Sequence, residues 1–121
     1  MKVEIPGLCD ILIGIFRKFK NDEFVNDRRA IHLAFKKLRD KYDILKNIVF
    51  KNDIIFPESQ MLDEALYSLQ PDFLGKINPS FDRFKIKKEK IDLFWDKKLK
   101  DRLGQFEQDF ENIARELEET L

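Results

Sequence analysis

The apolar positions change period between Pro57 and Lys87. Leu62, Ala65, Leu66 and Leu69 recur at helical spacing behind a Ser59 cap, and Pro71 stops the run, which predicts a helix over 59–70. Leu74 and Ile77, then Phe84 and Ile86, alternate with polar neighbours on either side of Asn78-Pro79-Ser80. That is the pattern of a β-hairpin with its tip at the turn.

Two further helices are predicted before it. In Gly7–Lys20, Leu8, Ile11, Leu12, Ile15, Phe16 and Phe19 follow the i, i+3, i+4, i+7 rule, and Pro6 suits the start. Cys9, Ile13 and Gly14 make this apolar face broader than one small domain needs. The helix is therefore expected to be packed on two sides, with a second subunit as one candidate cover. Asn21–Asn26 reads as a polar connection, with Phe24 and Val25 at most partly buried. Asn26 or Asp27 can cap the second helix, which runs to about Tyr42. Its core face is Ile31, Ala34, Phe35, Leu38 and Tyr42. Its opposite face carries Arg29, Lys36, Lys37 and Arg39. Residues 43–56 admit a helical turn at Ile44–Ile48 or short strands, and Ile54–Phe56 is the candidate third strand for the hairpin sheet.

From Lys88 onward one helix is predicted. Ile91, Phe94 and Trp95 suit packing on the body. Leu99, Leu103, Phe106, Phe110, Ile113 and Leu117 then form a heptad seam. Some thirty residues at 1.5 Å each span roughly 45 Å, which overhangs so small a body. Apolar side chains on an overhang should not stay in water, so a homodimer is expected, with those six residues in its interface. The competing arrangement is a helix folded back on its own domain, and Gly104 is a place for a bend. The fold class is mainly α with a small β-hairpin (α+β), a winged helix-turn-helix followed by a long C-terminal helix. The 121 residues suit a single domain, 1–121, with a body over 1–87 and the helix over 88–121.

Composition narrows the chemistry. Twelve Phe carry no polar handle and belong in a core or an interface. Net charge is zero, yet residues 1–105 hold five more bases than acids and residues 106–121 hold five more acids than bases. The single Cys9 excludes an internal disulfide and a multi-Cys zinc site, and fits an inert buried thiol in a reducing, cytoplasmic setting. The Leu8–Phe16 run is too short to span a bilayer and lacks the flanks of a signal peptide, so no membrane partner is expected, although Arg17, Lys18 and Lys20 would allow surface contact. His32 is the only histidine and is expected exposed or at the core edge. There is no Gly-rich phosphate loop, His-Glu-x-x-His or nucleophile elbow, and adjacent acids such as Asp63/Glu64 and Glu118/Glu119 diverge. No enzyme, catalytic residue, metal or cofactor is expected.

The stretches Leu62-Asp-Glu-Ala-Leu66-Tyr-Ser-Leu69, Phe73-Leu-Gly-Lys-Ile77 and Arg83-Phe-Lys-Ile86 resemble winged-helix transcriptional regulators. With the long last helix, the arrangement is similar to the PadR-type regulators. The resemblance implies a dimeric, double-stranded DNA-binding regulator. Gln60, Ser68 and Gln70 on the third helix can reach base edges or phosphates. Lys76, Arg83, Lys85 and Lys87 on the wing, with Arg29, Lys36 and Lys37 on the second helix, would anchor phosphates. Against this stand Asp63 and Glu64, and a stretch from Lys51 to Lys76 without Arg or Lys between. An acidic third helix and zero net charge suit the alternative, a protein-interaction adaptor on the same scaffold, with Phe106 and Phe110 as anchors.

Overall fold

The computed structural model describes residues 6–51, 55–76 and 80–121, with Lys76 described in its backbone alone. Helix α1 (Leu8–Arg17) is followed by strand β1 (Glu23–Val25), helix α2 (Arg28–Arg39) and helix α3 (Gln60–Ser68). Strands β2 (Leu74–Lys76) and β3 (Arg83–Ile86) come next. The sheet is antiparallel in the order β1-β3-β2, with Phe24 opposite Phe84 and Gly75 opposite Lys85. Helix, strand, helix, helix, strand, strand, with the first strand returning beside the last, is the winged-helix order.

The caps are those the sequence offers. The Asp27 side chain accepts from Ala30 N at 3.2 Å, and Ser59 Oγ accepts from Leu62 N at 3.2 Å. Leu62, Ala65, Leu66 and Leu69 are buried, as are Leu74, Phe84 and Ile86. Ile77 and the expected turn residues Asn78 and Pro79 lie outside the described residues.

Three expectations need correction. The third strand comes from Glu23–Val25, not from Ile54–Phe56. Phe24 is buried between Phe16 and Phe84, stacked at 5.0 and 4.9 Å. A three-residue strand buries one side chain, too little for a periodicity to register. Ile54 lies outside the described residues, and Ile55 and Phe56 form a bend. Residues Asp43–Leu45 make one 3-10 turn, and the backbones of Lys51 and Glu58 exchange two hydrogen bonds as an isolated bridge. The link between α2 and α3 is therefore far longer than the three or four residues of a simple helix-turn-helix.

The second correction concerns the C-terminal run, which is helical but not straight. It comprises α4 (Lys88–Phe94), a π-helical turn (Trp95–Leu99), α5 (Lys100–Leu103), a 3-10 turn (Gly104–Phe106) and α6 (Glu107–Thr120). Trp95 and Phe110 are fifteen residues apart, which would place them about 22 Å apart on one straight helix. Their rings meet edge-on at 5.9 Å. The run bends sharply where Leu103 (φ −109°, ψ −1°) and Phe106 (φ −100°, ψ 7°) leave helical geometry, so that its two arms form an open helical hairpin around α1. Arg17 ties the two arms together. Its Nε is 3.7 Å from Asp92, its Nη1 donates to Glu107 Oε1 at 2.9 Å, and its guanidinium lies 4.8 Å from the Trp95 ring centre.

The seam residues Leu99, Leu103, Phe110, Ile113 and Leu117 are thus buried in the chain's own core, with Phe106 half-buried against it. The overhang that called for a homodimer does not exist. What covers the seam is α1, whose broad face is packed on two sides: α3 against one, the helical hairpin against the other. A Cβ on Gly14 would lie 2.5 Å from Phe110 Cε2, so only glycine lets the ring sit there. The acidic excess of the last residues is spent on the body. Lys41 Nζ and the Tyr42 hydroxyl donate to Glu116, each at 2.5 Å, and the Lys20 and Asn21 backbone N–H groups donate to Glu118 at 2.9 and 3.1 Å. Lys88 Nζ donates to the carbonyls of Arg17 and Phe19, a cation at the C-terminal end of α1 where the helix dipole favours it. Burial holds that ammonium below the ordinary lysine range.

The third correction is His32, which is fully buried rather than exposed or peripheral. Its partners belong to the site.

Candidate functional site

Helix α3 and the hairpin form the face on which the expected contact residues sit. The N-terminal half of α3 is locked to α2 by a polar chain. Ser59 N–H donates to His32 Nδ1 at 3.0 Å. That nitrogen therefore carries no proton, and His32 Nε2–H donates to Asp63 Oδ1 at 2.9 Å. Arg28 reaches the same carboxylate with Nε at 3.1 Å and Nη2 at 2.7 Å, and Nη2 also donates to Glu58 at 2.7 Å. The guanidinium lies 5.3 Å from the Phe56 ring centre, and the His32 ring meets Phe56 edge-on at 5.9 Å. Burial pushes the Asp63 carboxyl up, but the Arg28 and His32 hydrogen bonds outweigh it and hold the group below the ordinary range. Arg28 is pushed up by its hydrogen bonds to Asp63 and Glu58.

Ser59, His32 and Asp63 have the composition of a catalytic triad but not its connectivity. The imidazole meets the serine backbone N–H, and the hydroxyl is occupied as the α3 cap. The group is a clamp between two helices. Ser59 and Asp63 are four apart, so they share one helix face, a signal legible in the sequence. Nothing in the sequence paired them with His32.

Two of the wing bases, Arg83 and Lys85, are paired with acids of the chain, and the Lys76 side chain lies outside what is described. Arg83 Nε donates to Glu23 at 3.0 Å, and Lys85 Nζ donates to Asp22. The Lys85 hydrogen bond holds the Asp22 carboxyl below its ordinary range. Lys87 Nζ donates to the Pro71 carbonyl at 2.5 Å. On α2, Lys36 and Arg39 lie over the Phe50 ring at 5.9 and 5.5 Å, while Arg29 and Lys37 are exposed with no acid partner among the described residues. On α3, Gln60 donates to Glu64 at 2.9 Å, Gln70 donates to the Leu66 carbonyl at 3.3 Å, and Ser68 is exposed. Tyr67 is 78% exposed and Met61 38%.

The expected contact residues are therefore not gathered into one basic surface. The acids that neutralise the wing come from the segment before α2, which the sequence presents as an ordinary loop. Among the described residues no group of three or more His, Cys, Asp or Glu side chains converges as a metal site, and no helix is long and apolar enough to cross a membrane. No family model, curated protein or solved structure matches the chain.

Proposed function

We propose that this chain is a protein-interaction adaptor on a winged-helix scaffold, and that α3 presents an acidic, aromatic face to a basic segment of its partner. One observation carries the proposal: Glu23 and Asp22 already neutralise Arg83 and Lys85 on the wing. A duplex would have to break both pairs, and the displaced carboxylates would then face phosphate. Each cation so spent lowers the number of counterions that binding can release. The outward side of α3 adds Glu64 beside the exposed Tyr67, a pairing of charge and aromatic surface that suits a cationic protein segment better than a polyanion.

Duplex binding is the second possibility. It is favoured by the order of the elements and by the unpaired Arg29 and Lys37 on α2.

The test is fluorescence anisotropy of a labelled random-sequence duplex at two salt concentrations. The wild-type chain is expected to give no saturable binding at low salt. The Asp22→Asn, Glu23→Gln double variant is expected to gain weak binding that vanishes as salt rises. Salt-sensitive micromolar binding by the wild-type chain would overturn the adaptor role in favour of duplex binding.

A further inference from the structure

A cavity of about 210 Å³ opens between α2, α3 and the wing. Its floor includes Ile31, Leu66 and Phe84, with His32 behind them, all buried. Asn26, Tyr67, Gln70 and Phe81 line it nearer the surface, together with the ion-paired Arg28 and Asp63.

Two features distinguish it from an ordinary surface dent. Phe81 has φ 50°, in the left-handed region that a bulky side chain avoids. It is held there because Asn26 Nδ2 donates to the Phe81 carbonyl at 2.8 Å, while Asn26 N–H donates to the Asp82 carbonyl at 2.9 Å. The constraint places the Phe81 ring edge-on to Phe84 at 5.0 Å and keeps it as a wall. The second feature is an imbalance of hydrogen-bonding groups. Asn26 spends an amide N–H on Phe81 and Gln70 spends one on Leu66, and neither side-chain carbonyl oxygen has a donor among the described residues.

Aromatic walls and open acceptors call for a donor-rich cation. The charge at the rim agrees: Arg28 and Asp63 in the lining balance each other, and Glu58, the second carboxylate tied to Arg28, leaves this cluster with one negative charge in excess. We infer that this cavity receives one arginine side chain of the protein partner, its guanidinium stacked on the aromatic wall and donating to Asn26 and Gln70. Guanidinium suits the cavity better than ammonium because it is planar, stacks on rings and carries its donors in a fixed fork. The inference rests on the adaptor role and specifies the residue that α3 and the wing select.

The probe is N-acetyl-arginine methylamide, titrated into the isotope-labelled full chain and followed by NMR. Saturable shifts at the Asn26 and Gln70 side-chain amides and at Tyr67 are expected in the millimolar range. The norleucine analogue, which has no donors, should bind about tenfold or more weakly. Tyr67→Ala, at an exposed position whose truncation removes no core, should weaken the arginine probe several-fold, as should Gln70→Leu. Equal shifts with the norleucine analogue, or none at Asn26 and Gln70, would overturn the inference. An oligolysine peptide separates the two proposals. If it binds and Glu64→Lys abolishes that binding while the arginine probe shows nothing, the adaptor role stands and the arginine cavity falls. If the wild-type chain binds duplex with steep salt dependence, the adaptor role falls whatever the probe does.

Discussion

The two sides of this molecule are built by different means. Where α1 meets the helical hairpin, the contact is dry: Ile11, Leu12, Ile15, Trp95, Phe110, Ile113 and Leu117 bury nearly all their surface, and charges such as Arg17 and Glu107 stay at the rim. Where α2 meets α3 and the wing, the contact runs through a buried imidazole, a carboxylate with two partners and paired surface charges. The dry side derives its stability from area and fit. The polar side gains little net energy per bond but loses much when one partner is removed. The face held by directional bonds still exposes Tyr67 and Glu64, whereas the apolar side is closed.

Substitutions can break this contrast, and Phe110 should give the largest effect. Phe110→Ala is expected to cost about 3–5 kcal/mol by cavity formation, read as a fall in the urea midpoint, with the single buried Trp95 as reporter. Phe110→Asp should unfold the chain. A folded monomer derived from a wild-type dimer, seen by sedimentation, would instead restore the intersubunit seam. On the polar side, His32→Ala should cost about 1–3 kcal/mol, because it strands the buried Ser59 N–H and leaves Asp63 Oδ1 with Arg28 as its only donor among the described residues. Gly14→Ala should cost a similar ~1–3 kcal/mol by overpacking against a ring that cannot retreat.

Acid should act on the polar contacts and on the rim of the dry side. The folded-state carboxyls of Asp63, Glu107 and Glu116 lie below their ordinary values, held by Arg28 and His32, by Arg17, and by Lys41 and Tyr42 respectively. Their stabilisation is present above the unfolded values and is lost as pH falls through the folded ones. Urea midpoints measured across that acidic window should therefore decline, and Asp63→Asn should flatten part of the decline. The smallest effect is expected at Gly104. A Cβ there meets nothing within 4 Å and φ is −58°, so Gly104→Ala should stabilise by about 0.5–1 kcal/mol.

Much of the fold was legible in the residues. Ser59 and Asp27 cap as their types suggest, and the periodicity of α2, α3 and β3 names most buried positions, although α2 ends at Arg39, Tyr42 is only half-buried and the buried His32 escapes the pattern. Two surpluses of apolar surface were also visible, one on Leu8–Phe19 and one on Leu99–Leu117. Periodicity says that a face must be covered, not by what: a second subunit is one candidate cover for the first face and the expected cover for the second, whereas in the structure each covers the other. The small Gly14 opposite the large Phe110 is the trace of that match. The candidate site was less legible. Arg83 and Lys85 read as phosphate contacts because their neutralising acids lie some sixty residues earlier, and charge pairing across a sheet leaves no periodic signal. The His32 clamp and the strained Phe81 depend on contacts between separate elements, which no local spacing encodes.

The fit of Gly14 to Phe110 also has a consequence in time. Nearly a hundred residues separate the two, so on a ribosome adding about 5–20 residues per second, the apolar face of α1 waits on the order of 5–20 s for its cover. Through that interval the nascent chain carries a sticky, helix-forming segment with nowhere to dock. Slowing synthesis between α1 and α6 should therefore favour aggregation over soluble yield, and a chaperone that shields short apolar helices should raise that yield by covering α1 until α6 is made.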